Sequence, residues 1–125
     1  QELRVAAKNE KRLEQYWRNV HFVSFVTSAD QQDHLADGDH LEANCTLELD
    51  QTPAKLVCVE LFYELNEDSR FKTLPMELVN QEGSQGHYRC QFKLEGHGKQ
   101  TLNARIKPAH PVVQDLHPEW IKWAL

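Results

Sequence analysis

The chain has 125 residues and a net charge of −5, from 14 basic and 19 acidic side chains. A single domain of this length buries on the order of two-thirds of its unfolded surface. The acidic balance argues against nucleic acid and anionic membrane as partners, because both need clustered Lys and Arg.

Residues 1 to about 18 predict a helix, with Leu3, Ala6, Leu13, Trp17 and Val20 recurring at spacings that build one narrow apolar stripe. So polar a helix needs a partner surface. No capping residue precedes it, so the helix is expected to begin further upstream. The charged, helical N-terminal pattern is not a signal peptide, and no apolar run approaches the ~20 residues of a membrane span.

A first strand follows at 20–27, then a polar loop at 28–39 with an Asp37-Gly38 turn. From His40 to Leu49, apolar and polar residues alternate strictly, with Leu41, Ala43, Cys45, Leu47 and Leu49 on one face. That is the pattern of a half-buried antiparallel strand. After a turn at 50–54, residues 56–64 predict the central strand. Val57, Val59, Leu61 and Tyr63 face one way, while Cys58 and Phe62 add apolar surface to the other.

A polar loop at 65–70 leads to a weaker strand at 71–79, which Pro75 demotes to a sheet edge or a bulge. A turn at 80–86 is followed by a strand carrying Tyr88, Cys90, Phe92 and Leu94, a tight turn at 95–98, and a strand with Leu102, Ala104 and Ile106 that Pro108 stops. In the tail, Ile121, Trp123 and Leu125 share a parity and predict a short final strand, with a helical turn as the alternative. The sum is a mainly β fold: an antiparallel immunoglobulin-like sandwich of about seven strands, residues 20–125, behind one N-terminal helix, residues 1–19.

Residues that suggest chemistry each have a plainer reading. His34 and His40 flank Asp33, Asp37 and Asp39, but no metal-ligand spacing is present and a solvated loop explains them. His87, His97, His110 and His117 stand in turns and read as surface residues. The thiols of Cys45, Cys58 and Cys90 lie in strand patterns without Cys-x-x-Cys spacing, as small hydrophobes of a reduced, cytoplasmic protein would. A Cys45–Cys90 bridge across the sandwich is the competing arrangement, since Tyr88 precedes Cys90 by two residues, but the central strand lacks the tryptophan of that design. No nucleophile, metalloprotease or phosphate-loop motif occurs. Trp120 and Trp123 are candidate sugar-stacking platforms, although tryptophan more often packs into a core or an interface.

In order along the chain stand Trp17-Arg-Asn-Val20, Gly38-Asp-His-Leu41-Glu-Ala43, Val57-Cys-Val59-Glu-Leu61, Gly86-His-Tyr88, Asn103-Ala-Arg105-Ile106-Lys-Pro108-Ala-His110-Pro111 and Trp120-Ile-Lys-Trp123-Ala124. This series resembles the extreme C-terminus of the bacterial α-glucan (glycogen/maltodextrin) phosphorylases, over nearly the whole chain from about Ala6. The resemblance implies a parent enzyme that releases glucose 1-phosphate from an α-1,4-glucan with inorganic phosphate and pyridoxal phosphate. The cofactor lysine of that family lies in a Gly/Ser/Thr-rich stretch that this chain lacks, so catalytic and cofactor residues are expected upstream. The implied partners are the upstream catalytic domain of the same polypeptide and, further, an α-glucan. Leu3, Leu13 and Trp17 are then expected to line the seam with that domain. A secreted immunoglobulin-like binding or adhesion module is the alternative function.

Overall fold

The computed structural model describes residues 2–28, 38–65, 70–93 and 100–125. His34, Asp33, Asp37, Leu94 and His97 of the readings above lie outside the described residues, as do the side chains of Leu3 and Ala6.

Helix α1 (Glu2–Tyr16) ends in a 3-10 turn at Trp17–Asn19, and eight strands follow among the described residues. These are β1 (His21–Thr27), β2 (His40–Glu48), β3 (Val57–Leu65), β4 (Arg70–Pro75), β5 (Glu77–Glu82), β6 (Gln85–Lys93), β7 (Gln100–Pro108) and β8 (Lys122–Trp123). They form two antiparallel four-stranded sheets, ordered β1-β2-β6-β5 and β4-β3-β7-β8. This is the immunoglobulin-like arrangement, and β3 is an inner strand of its sheet, as its apolar content predicts.

Alternation explains the packing. Leu41, Ala43, Cys45, Leu47 and Leu49 of the first sheet are buried, and so are Val57, Val59, Leu61 and Tyr63 of the second. Both sets belong to one core with Tyr88, Phe92, Ala104 and Ile106. Truncating a fully buried leucine such as Leu47 or Leu61 to alanine costs about 2–5 kcal/mol in cores of this kind.

Three details depart from the sequence expectation. The single strand expected at 71–79 is two strands in different sheets. The chain leaves the second sheet after Pro75 and enters the first at Glu77, so both pieces are edges and Pro75 interrupts no central ladder. Met76, buried at the crossing, donates its backbone N–H to the Val59 carbonyl at 2.9 Å and brings its sulfur within 4.0 Å of Cys45 Sγ. A flexible thioether suits such an irregular gap between sheets.

The turn expected at 80–86 shrinks to Gly83-Ser84, because β5 and β6 close a tight hairpin with Glu82 opposite Gln85. Gly83 has φ +59, the left-handed conformation that such hairpins require. Ahead of the short final strand, the tail also contains a short helix, α2 (Pro111–Leu116), and a 3-10 turn at Pro118–Trp120 before β8. Pro111 opens α2, where a missing N–H costs nothing, and the His110 ring accepts from the Val112 N–H. Periodicity cannot show so short a helix.

Candidate functional site

Two places on this frame gather side chains beyond what packing requires. The first is the junction between α1 and the C-terminal segment. Leu13 is fully buried and Trp17 is 5% exposed, and α1 packs on α2. The Trp17 indole N–H donates to the Trp120 carbonyl at 2.9 Å, and the two rings stack with centroids 5.9 Å apart. Lys122 Nζ donates to the carbonyls of Trp17 and Val20 and lies 5.4 Å from the Trp17 ring centroid. These carbonyls are where the helical segment gives way to β1, so the lysine caps them.

His117 completes the junction. Its ring stacks on Trp120 with centroids 3.8 Å apart and 7° between planes. Nδ1 is 3.0 Å from Glu119 Oε1, and Nε2 is 2.9 Å from Glu10 Oε2 on α1. With an acceptor at each nitrogen, the imidazolium satisfies both contacts, and the Glu119 bond followed by Glu10 raises the histidine pKa from its ordinary value. Burial acts oppositely on Lys122, lowering its pKa.

The second place is the outer face of the second sheet. Side chains at even positions of β3 point away from the core, and the register sets Phe62 opposite Asn103, Glu60 opposite Arg105 and Cys58 opposite Lys107. Phe71 of β4 stacks on Phe62 at 5.0 Å, and Trp123 of β8 meets Phe62 edge-on at 5.1 Å. The Arg105 guanidinium lies 6.0 Å from the Phe62 centroid and 5.6 Å from that of Trp123. Glu60 accepts from Arg105 Nε at 2.8 Å and pairs with Lys107 Nζ at 3.1 Å, so the cationic side chains are held in place. Phe71 remains 60% exposed and Trp123 44%.

The two sugar-stacking candidates thus separate. Trp120 serves the junction, where Trp17 and His117 are its ring neighbours; Trp123 lies on the open face. Of the seam candidates, Leu13 and Trp17 are buried in this chain's own fold, and the side chain of Leu3 lies outside the described residues. Glu10, Phe71 and Arg105 were not singled out from the sequence, and His117, read there as a surface residue, is instead stacked on Trp120 and paired with Glu10 and Glu119. Besides Trp123, Phe62 carried a local signal, as an aromatic on the polar-parity face of β3.

Cys45, Cys58 and Cys90 are free. The bridge weighed from sequence does not form: Cys45 and Cys90 lie on neighbouring strands of the same sheet, with Cys45 opposite Tyr88 and Ala43 opposite Cys90. Burial pushes the Cys45 thiol up to about 12 and raises Cys58 and Cys90 as well, which makes all three poor nucleophiles. No group of three or more metal-ligating side chains is found among the described residues, and no described helix is long and apolar enough to cross a membrane.

Strand order and core define an immunoglobulin-like β-sandwich with a helix clasped to its C-terminal segment. The glycogen phosphorylase C-terminal domain family matches residues 17–125, and the chain belongs to that family. No curated protein and no solved structure matches the chain.

The family raises the question of pyridoxal phosphate, and neither lysine of the two clusters described above is free to hold it. Lys122 is the lysine whose burial lowers its pKa, as an imine-forming lysine needs, yet its Nζ is committed to two backbone carbonyls beside Trp17. Lys107 is held by Glu60.

Proposed function

We propose that this chain is the non-catalytic accessory sandwich of a cytoplasmic, pyridoxal-phosphate-dependent α-glucan phosphorylase. The observation that carries the reading is the family match across residues 17–125, which spans all eight strands. The parent enzyme releases glucose 1-phosphate from an α-1,4-glucan with inorganic phosphate, and its cofactor and catalytic groups lie in the catalytic domain of the same polypeptide. Residues 1–19 link that domain to the sandwich at 20–125. Because Leu13 and Trp17 are turned into the sandwich side, the helix contacts the catalytic domain through its other face, where Arg4, Val5, Lys8, Lys11 and Arg12 are exposed. In this reading the junction sets the angle at which the helix leaves the sandwich.

The test is phosphorolysis. The polypeptide that contains this chain should release glucose 1-phosphate from maltodextrin and phosphate, while the chain alone should release none and show no pyridoxal absorbance. Turnover by the isolated chain, or a parent polypeptide without phosphorolysis, overturns the reading.

A further inference from the structure

Helix α1 carries its charge unevenly. At about 100° of turn per residue, Lys8, Lys11 and Arg12 fall within one arc of about 100°, and Arg4 lies inside that arc. Leu13 is buried on the opposite side, and Glu10 turns to His117 at the junction. All four cations are exposed. Lys8, Lys11 and Arg12 make no ion pair with a described residue, whereas Arg89, Arg105 and Lys107 each stand against a glutamate. The three line an open groove of about 310 Å³ with Gln15, Tyr16 and, from the turn after β2, Gln51, and no carboxylate stands in that lining. Of the acids around it, Asp50 accepts from Asn19 Nδ2 at 2.9 Å and Glu48 accepts from the Asp50 backbone N–H at 2.9 Å. Glu14 is exposed, and Arg4 and Arg18 outweigh it on the cationic side. The face is therefore positive on a chain whose net charge is −5.

We propose that this face is an ionic docking ridge for an acidic surface of the upstream catalytic domain, whose carboxylates pair with Lys8, Lys11 and Arg12 while Gln15, Tyr16 and Gln51 offer hydrogen bonds along the groove. The catalytic domain as occupant rests on the phosphorylase reading; the acidic chemistry of the occupant rests on the surface. Lys8 and Arg12 stand about 6 Å apart along the helix axis, and the three cations spread round an arc instead of converging on a point. That arrangement suits several carboxylates on a surface and not one small anion. A second copy of the chain is a poorer occupant, because two bodies of net charge −5 repel at long range. A domain tethered to α1 meets the ridge at a high effective concentration without that handicap. Exposed ion pairs are individually weak, so the ridge acts through their number and register, fixing which way the sandwich is turned. Salt should then undock the sandwich without unfolding it.

The experiment is zero-length crosslinking of the intact parent polypeptide with a water-soluble carbodiimide, which joins a lysine amine to a carboxylate in direct contact, read by peptide mass spectrometry. Lys8 or Lys11 should be joined to Asp or Glu residues upstream of Gln1. Lys93, exposed at the end of the first sheet away from Gln51, is the control. At about 1 M NaCl the screening length drops to about 3 Å, and the yield relative to the control should fall roughly fivefold. Arg12→Glu, which keeps both lysines, should lower it by a similar factor. In the isolated chain the same variant should melt at the wild-type temperature, because Arg12 is exposed and outside the core. Absent crosslinks from Lys8 and Lys11, equal yields from Lys93, or a yield indifferent to salt overturns the proposal, as does a wild-type yield from folded Arg12→Glu. Crosslinks found only between copies, identified by mixing isotopically light and heavy protein, make the face a self-association surface and overturn it too. Phosphorolysis by a parent without these crosslinks sinks the ridge alone. Salt-sensitive crosslinks in a parent that performs no phosphorolysis overturn the phosphorylase reading and leave the acidic docking standing.

Discussion

His117 and Glu10 sit 107 positions apart in the chain and meet at 2.9 Å, tying helix α1 to the C-terminal segment through one ring nitrogen. The other nitrogen reaches Glu119, and the ring lies flat on Trp120.

This geometry makes stability depend on pH. The folded state raises the His117 pKa above its ordinary 6.5, chiefly through Glu119 and then Glu10. A raised pKa means that the folded state binds the proton more tightly, so the contribution is fully present below pH 6.5 and fades as pH rises through the folded value. Glu119 is lowered from 4.5, so its contribution holds above that value and is lost on acidification. The clasp is therefore strongest between about pH 5 and 6. Melting temperature should fall from pH 6 to 8 in the wild type, and His117→Gln should flatten that slope. Parallel slopes would remove the histidine from this role.

Val59→Asp should unfold the domain. Val59 is 2% exposed on the inner face of β3, and a carboxylate there would be buried without a partner. Such a group costs several kcal/mol against a total stability of about 5–15 kcal/mol. Loss of the cooperative melting transition is the expected result.

Tyr88→Phe should preserve or raise the melting temperature. The Tyr88 hydroxyl is buried without a hydrogen-bond partner among the described residues, and burial pushes its pKa up to about 12. Removing a buried, unpaired hydroxyl relieves a desolvation cost of about 1–3 kcal/mol. A clear drop in thermal stability would show that the hydroxyl is paired.

Thiol titration separates the phosphorylase reading from a secreted adhesion module. The unreduced chain, denatured, should show three reactive thiols, and the folded chain should react slowly at pH 8 because its thiolates are scarce. A single reactive thiol would indicate a disulfide.

Amide exchange should follow burial. Arg4 and Val5, on the exposed part of α1, should exchange faster than Leu13 and Trp17, and β3 from Val57 to Tyr63 should be slowest. Uniform protection along α1 would mean that its exposed face is covered by a second copy of the chain.

The sandwich was legible because period-two alternation at 41–49 and 57–63 is a local signal, and each alternating residue went to the face its parity predicts. The crossing at Met76 was not legible. Pro75 reports a weak strand, but whether the next residues stay in that sheet depends on where β6 lies, a tertiary fact. The junction was hidden for the same reason. Nothing near His117 in the sequence mentions Glu10, and the stripe of α1 says that Trp17 needs a partner without saying which. Phe71 looked like a strand residue, and only the β3–β4 register sets it beside Phe62 on the open face.

The contact between Trp17 and Trp120 spans 103 positions, and this has a consequence for biosynthesis. At about 5–20 residues per second, the ribosome takes several seconds or more between making the two tryptophans. During that interval Leu13 and Trp17 lack the cover that α2 and Trp120 supply, whatever the strands between have managed to pair. A nascent chain that stalls before Pro118–Trp120 leaves those two side chains more open to any chaperone or protease nearby, and one that has passed Trp120 can hide them. Docking of the helix thus reports that translation has passed Trp120.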